Sequence, residues 1–159
     1  MQMNIITLSS DHLNLILEFE KAQTQCELYY GFDKKSLQDL FNNPSKGQAL
    51  GIMENEVLIA YGAFKIDWQE QSDSEGVYEI SSVVVSSNHR GKGLGARILD
   101  ELVSRAKAQP DYHKLYLTVS PLNIGALILY LKHGFIITDF KTNVYGPGTD
   151  RVYLTLNEK

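Results

Sequence analysis

Three glycines at alternate positions, Gly91, Gly93 and Gly95, separate the run Val83-Val84-Val85 from an amphipathic stretch that begins at Leu94. A strand that turns into a helix there leaves the first N–H groups of the helix unpaired. It also aims the positive end of the helix dipole at whatever lies in front. Glycine permits positive φ and lets a ligand approach the backbone closely. Arg90 and Lys92 add local positive charge to a chain whose net charge is -4. The segment Arg90, Gly91, Lys92, Gly93, Leu94, Gly95 and Ala96 therefore reads as a loop for an anion, and a pyrophosphate suits it.

Two further groups have types and spacings that fit chemistry. Asn123 and Tyr130 lie seven residues apart, nearly two helical turns, so they share a face with the small Ala126 between them. An amide, a methyl and a phenol in a strip can border a ligand arm with polar ends. The plain alternative is that Tyr130 is a core aromatic bonded through its hydroxyl. The neighbouring face, Ile124, Ile128 and Leu131, is apolar and is expected to pack on a sheet. Glu79 interrupts the apolar strand VYEISSVVV, where simple alternation puts it on one face with Ser81, Val83 and Val85. Partial burial would raise its pKa into the range of a general base; a solvated, edge-facing Glu79 is the alternative.

Other phosphate motifs fit less well. No GxxxxGK[ST] segment is present, and the alternating glycines follow antiparallel hairpins rather than the first strand of a βαβ unit. A ligand-free turn is the remaining reading, disfavoured by the chain entropy that three glycines cost.

The elements that position these residues follow from periodicity. Met3 to Leu8 reads as a strand, Ser9-Ser10-Asp11 as a helix start, and Lys34 to Phe41 as a second helix. Residues 49–66 form two strands around a Glu54-Asn55-Glu56 turn, and VYEISSVVV is the next strand. Leu94, Ile98, Leu102 and Ala106 recur every fourth residue in a helix from about Gly93 to Lys107. KLYLTV is a strand, IGALILYLKHG a helix closed by Gly134, and FIITDF and RVYLTL two last strands around Gly146-Pro147-Gly148. The order β-α-α-β-β-β-α-β-α-β-β makes a mixed α/β (α+β) domain over residues 1–159.

At this point the chain resembles the GNAT superfamily of acetyl-CoA-dependent N-acetyltransferases. Arg90-x-x-Gly93-x-Gly95 is similar to that family's [QR]-x-x-G-x-[GA] signature. Asn123-x-x-Ala126-x-x-Leu129-Tyr130-x-x-x-Gly134-Phe135 is similar to a second family pattern. The element order resembles the family fold, so the likeness spans nearly the whole chain; Ala60 before Tyr61-Gly62 departs from a glycine common there. The resemblance implies a mostly antiparallel sheet of about seven strands with four helices, and acetyl-CoA as cosubstrate. It implies acetyl transfer to a primary amine of a small molecule or peptide by direct attack in a ternary complex. Glu79 would be the base and Tyr130 the acid that protonates the departing sulfur. Val83, Val84 and Val85 would offer backbone groups to pantetheine where the strand is splayed. A non-catalytic acyl-CoA-binding regulatory module and a nucleotide-binding structural domain are the competing readings.

Composition narrows the partners. The acidic balance argues against nucleic acid. Cys26 is the sole cysteine, and the four histidines lack metal-ligand spacing, so neither a disulfide nor a metal site is expected. MQMNIITLSS does not read as a signal peptide and no apolar run reaches membrane-spanning length, so no membrane partner and a cytoplasmic location are expected. Asp67, Glu70, Asp73 and Glu75, with Tyr29, Tyr30 and Trp68, suggest a rim for a cationic acceptor, although acidic loops are commonly just solvated. By family analogy, the exposed strands of the C-terminal hairpin, RVYLTL especially, would serve a homodimer.

Overall fold

The computed structural model describes residues 3–23, 34–67 and 76–158. In chain order these form β1 (Ile5–Thr7), α1 (Leu13–Gln23), α2 (Lys34–Asn42), β2 (Gly47–Glu54), β3 (Val57–Ile66), β4 (Val77–Val85), α3 (Leu94–Lys107), β5 (Lys114–Val119), α4 (Ile124–Lys132), β6 (Phe135–Lys141) and β7 (Arg151–Leu156). The seven strands make one sheet in the order β1-β2-β3-β4-β5-β7-β6. Every neighbouring pair is antiparallel except β4 and β5. The expected element order is the observed one, and the fold is the mixed seven-stranded, four-helix architecture that the resemblance implied.

Apolar spacing explains which faces are covered. Leu94, Ile98, Leu102 and Ala106 form the buried stripe of α3 and pack on Ala60, Phe64, Tyr78, Ile80, Leu115 and Leu117. Gly62 lets α3 lie close, because a Cβ there would stand 2.5 Å from the Ile98 Cγ2. On the opposite face Ile16, Phe19, Leu37 and Leu40 of α1 and α2 cover Tyr61, Ala63 and Val84. Beyond β4 that second face carries Tyr116, Thr118, Tyr153 and Thr155, which belong to neither apolar core.

Two expectations are corrected. Ile124, Ile128 and Leu131 do not pack on the sheet; they are 56%, 46% and 44% exposed, and Ala126, Leu127, Leu129 and Tyr130 face inward instead. The helix is apolar nearly all round, so no polar stripe marks its outer side. RVYLTL is not an exposed strand either: β7 lies between β5 and β6, and the edge at this end of the sheet is β6, where Ile136, Ile137 and Phe140 are exposed.

Candidate active site

The central strand changes character halfway along. Phe64 opposes Ile80 and Ala63 opposes Ser82, so Ser81 is the extra residue of a β-bulge. A bulge of this kind shifts the alternation of side chains beyond it. Tyr78 and Ile80 before it, and Val83 and Val85 after it, all belong to the core under α3, while Val84 turns to the core under α1 and α2. Glu79 consequently does not share a face with Val83 and Val85, as unbroken alternation had suggested. It points to the other side, opposite Tyr116 of β5.

The bulge also ends one set of backbone pairs. Strands β4 and β5 are paired from Val77↔Lys114 to Ile80↔Leu117 and no further, while β4 remains paired to β3 as far as Val85. From Ser81 onward the β5 side of β4 is unladdered, and a gap of about 50 Å³ opens there. Ser81, Val83, Thr118, Asn123, Ala126 and Tyr130 are among its lining residues. Of the three valines named for backbone contact, Val83 lines the gap. Val84 buries its side chain away from it, and the Val85 carbonyl accepts from Arg90 Nε at 3.3 Å.

The glycine loop lies beyond the end of β4. A short 3-10 turn, Ser87–His89, leads into it. His89 braces the turn, its Nδ1 2.6 Å from Ser86 Oγ and its Nε2 2.9 Å from Glu54 Oε2. Gly91 and Gly93 take φ of +75° and +80°, where a side chain is disfavoured, yet a Cβ at either would meet nothing within 4 Å. The loop is therefore bare toward open space, with Arg90, Lys92 and Ala96 beside it. Gly93 is the residue before the first turn of α3, and Leu94 buries its side chain at the helix start. Gly95 has ordinary backbone geometry; its Cβ would stand 3.6 Å from Val85 Cγ2 and Leu129 Cδ2, fixing the helix mouth between β4 and α4.

Asn123, Ala126 and Tyr130 share the gap, as their spacing implied. Asn123 has a second duty that the sequence reading missed: its Oδ1 caps α4 by accepting from the Ala126 N–H at 3.3 Å. Tyr130 is 7% exposed and stacks edge-on against Phe135 with centroids 6.1 Å apart. Burial pushes its phenol up to about 12, against a smaller opposing pull from Arg151. The hydroxyl thus stays protonated across the working pH range and is a donor.

Glu79 lies on the far side of the sheet. Burial is the largest influence on it and raises its carboxyl above the usual range; Asp67 adds to the rise, while Lys65, Tyr116 and Arg151 oppose it. Tyr116 Oη lies 2.8 Å from Asp67 Oδ2 and 3.5 Å from Glu79 Oε2, linking the two carboxylates. Beside them a cleft of about 280 Å³ is floored by Tyr116 and Tyr153, stacked at 6.4 Å and 11°. Arg151 lines the 50 Å³ gap instead, donating from Nε to Thr118 Oγ1 at 3.1 Å and from an Nη to the Thr118 carbonyl at 2.8 Å.

Tyr116 and Arg151 were not singled out from the sequence. Leu115, Leu117 and Val119 alternate with Tyr116 and Thr118 in KLYLTV, so period-2 reading could have placed Tyr116 away from the core. Tyr29, Tyr30, Trp68, Glu70, Asp73 and Glu75, assigned to the acceptor rim, lie outside the described residues; Asp67 is described and borders the cleft.

A model of the acetyltransferase (GNAT) family matches residues 14–135. The chain is 29% identical over 101 residues to an aminoglycoside N(6')-acetyltransferase type 1 of Klebsiella pneumoniae, covering 64% of this chain and 49% of that protein. It thus spans about half the length of that curated relative. An L-methionine sulfoximine/L-methionine sulfone acetyltransferase of Pseudomonas paraeruginosa is 30% identical over 132 residues, covering 79% of this chain and 70% of the relative. Among solved structures, yncA, a putative acetyltransferase from Salmonella typhimurium with its cofactor acetyl-CoA, superposes with a TM-score of 0.80 at 22% identity. That likeness covers 100% of this chain and 95% of the other, and it establishes the fold.

Proposed function

The chain belongs to the acetyltransferase (GNAT) family, and on that premise we propose that it transfers the acetyl group of acetyl-CoA to a primary amine within a ternary complex. The observation that carries the reading is the unladdered half of β4, which ends beside the bare glycine loop. Free backbone groups from Ser81 to Val84 suit the amides of a pantetheine arm, which would add to the strand much as a peptide does. The loop from Arg90 to Ala96 and the start of α3 suit the pyrophosphate, since positive φ at Gly91 and Gly93 leaves open space in front of the backbone. Asn123 and Ala126 border the arm. When bound, acetyl-CoA supplies an activated acetyl thioester.

The residues then divide the proton work. Glu79, raised by burial, accepts the proton of the incoming ammonium, directly or through water. Backbone N–H groups at the gap donate to the carbonyl oxygen as it gains charge. Tyr130, protonated across the working range, donates to the sulfur as it departs, and the second proton lost by the acylated nitrogen restores the phenol. Asp67, the one member of the expected acidic rim among the described residues, attracts the ammonium of the acceptor together with Glu79. The raised carboxyl and the buried phenol favour an enzyme over a binding module, because a module needs neither.

We also read residues 1–159 as one cytoplasmic domain. No described helix is long and apolar enough to cross a membrane. Within the C-terminal hairpin we shift the expected homodimer contact from RVYLTL to β6, because β6 is the edge strand at that end of the sheet and exposes Ile136, Ile137 and Phe140.

Calorimetric titration with coenzyme A, followed by thiol release from acetyl-CoA over an amine panel, tests the function. Saturable binding and acceptor-dependent release are expected. Absence of heat at millimolar coenzyme would overturn the proposal, and binding without release for any amine would leave a binding module.

A further inference from the structure

Resting on that reading, we propose that the acceptor is a zwitterion: a small amine that carries a carboxylate, such as a free amino acid, rather than a polycation. The cleft beside Glu79 is of mixed charge. Asp67 borders it on the β4 side, joined to Glu79 through Tyr116, and this end suits the ammonium. Lys114 and Lys141 also line the cleft, and their ammonium groups lie over its aromatic floor. Lys114 Nζ is 5.9 Å from the Tyr116 ring centroid and Lys141 Nζ is 4.6 Å from that of Tyr153. Neither lysine forms an ion pair with a described carboxylate. Asp139, the remaining acid in the cleft, turns one oxygen back to the N–H of Phe140 at 2.8 Å.

Strand spacing sets the scale. Neighbouring strands stand about 4.8 Å apart, so Lys114 on β5 lies roughly 5 Å from β4, while Lys141 on β6, three strands away, reaches back over the Tyr153 ring on β7, roughly 10 Å from β4. An amine held near Glu79 and Asp67 therefore has cationic partners for a negative group only a few bonds further along the same molecule. A polyamine of similar length would put its second ammonium against Lys114 and Lys141, a repulsive pairing that discriminates against it.

The test compares kcat/KM, read as thiol release from acetyl-CoA, for L-leucine, L-phenylalanine and L-glutamate against their α-amides. It adds 4-aminobutyrate against butylamine, and spermidine. We expect at least one acid to exceed its carboxylate-free partner by about tenfold, as a charge-assisted contact gives. The ratio should shrink at high ionic strength and fall toward one in Lys114→Gln/Lys141→Gln, while the Lys→Arg pair of substitutions retains it. Carboxylate-free partners or spermidine turning over as well as the acids would overturn the inference and leave acetyl transfer standing. So would a ratio indifferent to salt and to the lysines. No release with any amine would instead remove the parent reading, and this one with it. The salt dependence is read on the unsubstituted enzyme, so it decides the matter even where the double substitution does not fold.

Discussion

Glu79 and Tyr116 face each other directly across the parallel β4–β5 pair, and the tyrosine hydroxyl sits between Glu79 at 3.5 Å and Asp67 at 2.8 Å. The two neighbours push the Glu79 carboxyl in opposite directions, Tyr116 downward as a donor and Asp67 upward as a like charge, on top of the larger rise from burial. A base works above its pKa, so kcat/KM should fall as pH drops through the raised value. Tyr116→Phe should move that acid limb to higher pH and Asp67→Asn should move it to lower pH. Glu79→Gln should abolish it with a roughly 10²- to 10⁴-fold loss of kcat/KM. Shifts in one common direction would remove Glu79 from the role of base.

The same raised carboxyl has a sign for stability. A carboxyl whose folded value exceeds its unfolded one contributes stability that is present below the unfolded value and lost as pH rises through the folded value. Ionised Glu79 thus weakens the fold at neutral pH. Glu79→Gln should raise the melting temperature at pH 7 to 8 by roughly 2–4 °C. That gain should disappear below the ordinary carboxyl value of 4.5. Melting curves collected across pH decide this without any assay of activity.

Tyr130, pushed up to about 12 by burial, supplies a donor and no alkaline limb below that pH. Tyr130→Phe should lower kcat by about 10²-fold and leave coenzyme affinity within a few-fold, because the ring still fills its place against Phe135. Stopped-flow detection of thiol release measures the change. A variant with full kcat would reduce Tyr130 to a packing residue.

The glycines separate by backbone geometry. Gly93 at φ +80° should resist alanine, with a cost of about 1–2 kcal/mol and at least a tenfold loss of coenzyme affinity. Gly95→Ala meets ordinary 3.6 Å contacts and gains helix propensity, so denaturant titration should find it as stable as the parent. Equal costs at both sites would contradict the loop geometry.

Self-association should depend on β6. Ile137→Lys places a charge on the exposed edge and should shift sedimentation velocity from dimer to monomer, whereas a charge at the exposed Val57 should not. An unsubstituted chain that sediments as a monomer would remove the dimer.

Much of this fold and site is legible in the amino-acid sequence. Strong periodicities at Leu94–Ala106 and in KLYLTV, together with the glycine spacing, specify their elements by local physics alone. Three features are not. The bulge at Ser81 has no local marker, because it arises from a pairing mismatch with Phe64 and Ala63 sixteen or more residues away in sequence, and it reversed the expected face of Glu79. The outer side of α4 was hidden by its uniform apolarity. The edge position of β6 depends on strand order, since β7 inserts beside β5 and leaves the earlier strand outside.

A β-sheet ordinarily partitions the space on its two sides. Here the 50 Å³ opening is lined by Val83, Ala126 and Tyr130 from the helical side and reaches Thr118 and Arg151, whose contacts lie on the other. Where the β4–β5 pairing ends, that partition gives way to a gap bordered by side chains of both faces. On the proposed reading, acetyl-CoA comes from the helical side and the amine from the other, so neither has to vacate its route for the other to enter or depart.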